Sequence, residues 1–254
     1  MTQIKPYPYI CRGGSNLIIK PYYEQWKSTE GRTCSSAYEL LKKDLGIIFE
    51  FIEPSGSYVE PSNERFIKHD GNFKTYSHRI YELLLRACTE VESLCKQVFD
   101  KNKVSLKKEN IIRYSDLSDP MRLHEYEVSC YGFDYPPFYP FSEFKNSKRC
   151  KRSPKWYRGY NSVKHNRSLK FEHASLGNAI QAVGAVYTLL VAQFGIGSEN
   201  FMVLLPSGQK TTSRDIFSLS KSPKWSMSEK YEYDWRTLKD DPDPYQLHSL
   251  PELQ

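Results

Sequence analysis

The chain lacks most of the short signatures that announce a chemistry. It has no Cys-x-x-Cys pair, because Cys11, Cys34, Cys88, Cys95, Cys130 and Cys150 are scattered, so a zinc site is not indicated. There is no Gly-x-Ser-x-Gly, no His-Glu-x-x-His and no paired-carboxylate box, which removes the common hydrolase and metalloprotease patterns. Gly13-Gly14-Ser15-Asn16 is a turn signal, but no Gly-x-x-x-x-Gly-Lys-Ser/Thr phosphate loop follows it. The opening MTQIKPYPY has no apolar core of a signal peptide. The longest apolar run, Ala182 to Ala192, is too short to span a bilayer. The expectation is a cytoplasmic chain with reduced thiols, no metal, no cofactor and no membrane contact.

Acid is also missing, in one place. From Lys145 to Lys170 there are ten Lys or Arg and no Asp or Glu. The end of the chain is acidic, with Asp240, Asp241 and Asp243 close together. This asymmetry says more than the net charge of +6. It favours a nucleic-acid or phosphate contact in the basic part, or else a basic loop neutralised by the chain's own acidic tail. Hydrophobic residues are 39% and charged residues 26%, enough to bury a core and too apolar for general disorder. With 19 Tyr, the interior is expected to be hydrogen-bonded as well as apolar.

Apolar periodicity places the elements. Residues 1–30 read as extended, with a short strand near 17–20. Ser36 to Phe51 reads as a helix, with Ser36 and Glu39 as a capping box and Tyr38, Leu41, Leu45 and Ile48 on one stripe. Residues 53–71 read as a loop with a short helical turn after Asn63. Asn72 to Asp100 is the clearest helix, striped by Ile80, Leu84, Ala87, Val91, Leu94, Cys95 and Val98. His78, Arg79 and Glu90 on it read as ordinary surface or helix-end residues that could reach a site. Ser105 to Tyr114 suits a short helix, and Met121 to Tyr131 partly alternates as a strand does. The aromatic, Pro-rich stretch Phe133 to Phe144 cannot continue a helix and is expected to pack onto its own domain. Ala174 to Phe194 is apolar nearly all round and should be a fully buried helix. Residues 201–219 read as a hairpin, and Trp225 and Trp235 as anchors of the polar end.

The stretch Trp156 to His173, WYRGYNSVKHNRSLKFEH, joins the basic run to the apolar helix. At helical pitch, Trp156, Tyr160 and Val163 form an apolar stripe. Arg158, Asn161 and His165 fall in a wedge on the other side, so a cation, an amide and an imidazole are presented together. A solvated helix face has the same pattern.

Three segments together resemble the HEPN superfamily of helical nucleotide- and RNA-associated domains: YSHRIYELLLRACTEVESLCK, the box YNSVKHNR, and FEHASLGNAIQAVGAVYTLLV. The resemblance covers residues 72–195. It implies a mainly α, antiparallel helical bundle, with small β additions in the flanks 1–71 and 196–254 of a single domain spanning 1–254. Many members are metal-independent endoribonucleases of toxin–antitoxin or antiphage systems, with Arg, four to six residues, then His. Asn161 and His165 fit that pattern, but Tyr160 stands where the Arg would be. Arg158 before His165, or Arg167 before His173, meets the spacing; the second pair would lie about 120° apart on a continuous helix and needs a break.

By that resemblance His165, Arg158, Asn161, Arg167 and His173 are the candidate catalytic residues. Lys151, Arg152, Lys155, Lys164 and Lys170 would hold nucleic-acid phosphates. His suits removal of a 2′-hydroxyl proton, and the planar fork of Arg suits a phosphorane. RNA or a nucleotide is the implied ligand, with a homodimer and a protein partner encoded nearby as implied assemblies. A non-catalytic module binding nucleotide, RNA or protein, or a structural subunit, would carry the same residues.

Overall fold

The structure is a computed structural model that describes residues 7–12, 29–55, 57–60, 65–68, 71–106, 110–130, 133, 135–149, 152–195, 216–226 and 228–230. It is mainly helical, with small antiparallel strand pairs. Four long helices carry it: α1 (Thr29–Phe51), α2 (His78–Lys101), α3 (Lys155–His165) and α4 (Leu176–Phe194). The expected strand at 17–20, the first part of the 201–219 hairpin and Trp235 lie outside the described residues.

Helices α2 and α4 form where their stripes demand, although α2 begins at His78 rather than Asn72, after a separate 3-10 turn Gly71–Lys74. Every apolar residue of the expected α2 stripe is buried. Ser77 starts that helix by accepting from the Ile80 amide, which satisfies one of the orphan N–H groups of the first turn. Ser175 does the same for α4 through Asn178. Gly195 ends α4 at φ 66, a conformation that glycine adopts without strain. A Cβ there would also come within 2.3 Å of Cys11 Sγ, so the close approach of the N-terminal segment requires glycine as well.

Contacts along the helices give their directions. Thr75 and Leu176, at the starts of α2 and α4, share a backbone hydrogen bond of 2.8 Å, and the buried Gln193 Nε2 donates to Leu94 O near the other end. The central pair α2 and α4 therefore runs parallel. Along α1 the partners run the other way: Glu30 meets Lys101, Cys34 meets Gln97, and Asp44 meets Arg86. Helix α3 is likewise reversed, with Tyr157 on Glu92 and Arg167, just past its end, on His78 at the start of α2. Successive long helices are thus antiparallel, and the two apolar helices meet across the middle.

Three local readings are corrected, and one strand pairing is added. Helix α1 begins at Thr29 rather than Ser36, and Ser36 is an exposed residue inside it. Tertiary contacts hold the extra turns: Glu30 accepts 2.8 Å bonds from both Tyr9 and Lys101. Residues 57–60 and 65–68 are strands, not loop and helical turn, with β1 (Ser57–Glu60) antiparallel to β2 (Arg65–Lys68). The helix sought at Ser105–Tyr114 is, among the described residues, the turn Ile111–Tyr114, started by the Asn110 side chain. Strand β4 (Phe217–Lys221) pairs with β3 (Glu127–Cys130), a segment far back in the chain.

The Pro-rich stretch packs inward, as expected. Phe138 bridges Val128 through two backbone bonds, and its ring sits against Gly184 of α4. Pro140 O accepts from the Trp156 indole at 2.8 Å, fixing the start of α3. Trp225 anchors the later segment between the guanidinium groups of Arg12 and Arg122, at 5.3 and 5.2 Å. By length and hydropathy alone α4 could cross a bilayer, but 83% of that window is buried in the protein, as in a core helix.

The seat of α3 depends on one close approach. A Cβ on Gly159 would lie 2.4 Å from Asn178 Nδ2 and 3.0 Å from His173 O. That amide already donates to His173 O at 2.9 Å. We expect Gly159→Ala to cost about 1–3 kcal/mol of stability. Adding Asn178→Ala should cost less than the sum of the single changes, by about 0.5–3 kcal/mol, because the obstructing amide is gone. Urea denaturation of the four proteins measures this, and strict additivity would rule out the steric account.

Candidate functional site

Helix α3 divides as its pattern requires. Trp156, Tyr157, Gly159, Tyr160 and Val163 are buried, while Arg158, Lys164 and His165 are exposed and Asn161 is half-buried. The polar wedge does not act as a unit. Arg158 Nη1 donates to Ser153 O and lies 3.7 Å from Glu143. Glu143 also accepts from the Lys155 amide at 3.0 Å, so its carboxylate sits at the positive start of the helix and draws Arg158 there. His165 lies seven residues on, about 10 Å along the axis. Arg158 and His165 are therefore not brought together.

The end of α3 is open. Neither Asn161 nor His165 has a hydrogen-bonding side-chain partner among the described residues. The helix stops at Asn166, whose φ of −147 and ψ of 65 break the run before a short turn, Arg167–Lys170. The break needed between Arg167 and His173 lies at Lys170, whose φ of −132 and ψ of 21 separate that turn from the 3-10 turn Phe171–His173. His173 follows in a tight turn, 3.7 Å from the Glu172 carboxylate, while its carbonyl takes the Asn178 amide.

Arg167 finds a different histidine. Its Nη2 lies 3.3 Å from His78 Nδ1, at the first turn of α2. Arginine can only donate, so His78 Nδ1 is the acceptor and carries no proton in this arrangement. The guanidinium stands over two rings, 5.2 Å from Tyr81 and 5.9 Å from Phe171. Phe171 also meets His78 at 4.8 Å, Tyr76 at 5.5 Å and Tyr81 at 6.0 Å. Among the described residues Arg167 has no carboxylate partner, unlike Arg86, Arg113, Arg122 and Arg158. The sequence offered no short-range sign of this cluster, because Tyr76, His78 and Tyr81 come nearly a hundred residues before Arg167. His78 reads alone as a helix-end residue.

The remaining cations are divided between the two ends of α3, with Arg152 and Lys155 at its start and Lys164 and Lys170 near His165. Arg152, Lys155 and Lys170 are exposed, and Lys151 lies outside the described residues. Lys164 donates to Tyr160 at 2.8 Å, a bond that raises its pKa. Beneath them, Tyr157 donates to Glu92 at 2.5 Å, tying α3 to α2. Burial, with the Glu92 carboxylate as acceptor, pushes the Tyr157 phenol well above its ordinary value, so it stays a donor. Among the described residues no group of three or more His, Cys, Asp or Glu is placed to hold a metal ion. Comparison with protein-family models, with curated proteins and with solved structures finds no match.

One groove lies elsewhere, between α1 and α2, lined by Ala37, Leu40, Leu41, Leu85, Thr89 and Glu90, with the Arg86–Asp44 pair beside it. Burial raises the Glu90 carboxyl above its ordinary 4.5. A raised folded-state value means that the fold favours the protonated acid. Its contribution is complete below pH 4.5 and is lost as pH rises through the folded value. We expect Glu90→Gln to raise the urea midpoint at neutral pH, with the advantage vanishing below pH 4.5. An equal gain at every pH would point to a cause other than ionisation.

Proposed function

We propose that the chain is a HEPN-like protein acting on RNA, with metal-independent endoribonuclease chemistry at the end of α3. One observation carries the reading. His165 stands exposed and unpartnered at the tip of a cation-rich helix, two residues before Arg167, a cation with no carboxylate partner among the described residues. The order of the helices and the box YNSVKHNR support the family assignment.

In this reading His165 takes the 2′-hydroxyl proton of a bound ribose, since its unperturbed pKa suits proton transfer near neutrality. The alkoxide attacks the adjacent phosphorus, the 5′-oxygen leaves, and a 2′,3′-cyclic phosphate remains. Arg167 stabilises the charge that builds on the phosphorane oxygens. Asn161 orients the phosphate or the imidazole and does not react, because an amide takes no proton at neutral pH. His173 and Arg158 flank the path, and Arg152, Lys155, Lys164 and Lys170 hold neighbouring phosphates. A homodimer follows from the same resemblance, and Leu169, 71% exposed between Arg167 and Lys170, suits a protein-covered position. A toxin or antiphage-defence setting, with a partner encoded nearby, also comes from the resemblance.

The position of Arg158 favours a second reading, a non-catalytic HEPN-like module that binds RNA, a nucleotide or a protein. Held by Ser153 and Glu143, it is turned away from His165, so the box lacks its own arginine at the histidine.

An RNA cleavage assay in EDTA separates the two. We expect cleavage to persist and the product to end in a 2′,3′-cyclic phosphate. His165→Ala should lower the rate by ~10²–10⁴-fold, with RNA affinity retained. Lys155→Ala should weaken binding and lower the salt slope by about one. A wild-type chain that binds RNA and never cuts it would leave the second reading standing.

A further inference from the structure

The geometry points to a base-stacking subsite on Tyr76 and Phe171, beside the Arg167 guanidinium, that takes an unpaired nucleotide of single-stranded RNA. The inference rests on the RNA reading above and adds to it the class of RNA.

Three observations place the subsite. Tyr76 is a large ring left 50% exposed, whereas most large apolar side chains among the described residues are buried. Packing does not explain that exposure, yet the ring is firmly mounted: Tyr76 forms a bridge with Ser175, and the adjoining Thr75 carbonyl takes the Leu176 amide at 2.8 Å. Second, Tyr76 stands edge-to-face on Phe171 at 5.5 Å, and Phe171 is itself braced by His78 and Tyr81. A platform held on several sides loses little freedom when a flat ligand settles on it. Third, Arg167 shares Phe171 with Tyr76, so one hub ring carries an aromatic face and a cation without a carboxylate partner among the described residues.

A nucleotide has the matching parts, a planar π-face joined through a sugar to a phosphate. The base settles on Tyr76 and the phosphate meets Arg167, whose position the rings and His78 fix. Lys170, exposed three residues on, continues the cationic path for the next phosphate. An acidic peptide would satisfy Arg167 but leave the Tyr76 platform unused. A duplex would reach the cations and not the ring, because its bases are stacked inside. The subsite therefore selects single strands. It reads no base identity, since every base has a π-face.

The test uses the full chain and fluorescence anisotropy with labelled oligoadenylate, labelled oligouridylate and an RNA duplex of equal length. Both single strands should bind tighter than the duplex. Tyr76→Ala should weaken single-strand binding about 5–150-fold, the range for losing one stacked base, and leave duplex binding and the salt slope unchanged. Tyr76→Trp should retain binding. Arg167→Ala should lower the salt slope by about one for single strands. Because Tyr76 is half exposed, thermal melts of its variants should match wild type, and Tyr76→Trp keeps the test informative if Tyr76→Ala melts early.

Equal binding of duplex and single strand, or single-strand binding indifferent to Tyr76→Ala while Lys155→Ala weakens it, overturns the stacking subsite and leaves the RNA reading intact. Displacement of the oligonucleotide by polyglutamate at equal charge concentration also overturns it, since charge alone would then account for binding. Absence of binding to every RNA overturns both.

Discussion

The structure depends on covering α4. This helix is buried nearly all round: Ile, Val and Leu take most of its circumference, and the remaining side, with Gly184, Ala185, Thr188 and Ala192, is buried as well. The rest of the fold is arranged around that requirement. The stripe of α2 covers one side along nearly its whole length, α1 a second and α3 a third. The gaps are closed by aromatics brought from distant segments: Tyr9 on Phe194, Phe217 on Tyr187, and Phe138 against Gly184. Polar donors inside this shell find acceptors close by, as the Thr188 hydroxyl does at Gly184 O and Gln193 Nε2 at Leu94 O, while Gln193 Oε1 is left without a donor among the described residues. Titratable chemistry is costly in such an interior, and the buried thiols of Cys88 and Cys95 are accordingly pushed far above their ordinary range.

That cost sorts the reactive groups to the ends of the helices. At the shared start of α2 and α4, the chain must leave α3, turn and enter α4, and it does so in the ten residues from Asn166 to Ser175. The turn at Asn166 frees Arg167 from the helical face of α3, and the entry into α4 places Phe171 beside the first turn of α2. The cation–imidazole–aromatic cluster is therefore a consequence of how the core helices meet. The rings give Arg167 a fixed position that a solvated lysine at the same place would lack.

Periodicity made the two core helices legible, because a sustained stripe has no use except burial against another element. It also exposed the division of α3, where Trp156, Tyr160 and Val163 go in and His165 stays out. It failed where tertiary contacts outweigh local signals. The Ser36–Glu39 capping box is a good local start, but Glu30 is held by Tyr9 and Lys101 from two other segments, so the helix continues back to Thr29. Strands β1 and β2 have only four residues each, too few to stand out from a loop. Pairing between β3 and β4, like that between Arg167 and His78, joins residues about ninety positions apart, and no spacing rule reaches that far.

The competition for Arg158 shows how local electrostatics redirect a motif. Spacing alone allows its guanidinium to share a face with His165, and a long flexible side chain has many rotamers to choose among. Glu143 decides between them. Its carboxylate is drawn to the open amides at the start of α3, as a cap would be, and once there it offers Arg158 a fixed negative partner close to its own backbone. Turning toward His165 would mean giving up that partner and Ser153 O together. At the far end of the helix no carboxylate among the described residues competes: Glu172 faces His173, and the Arg167 guanidinium lies on aromatic faces with His78 Nδ1 as acceptor. A phosphate arriving at α3 therefore displaces an existing ion pair at Arg158 but none at Arg167. The cation on which a site at His165 can draw is the one that follows the histidine in the chain.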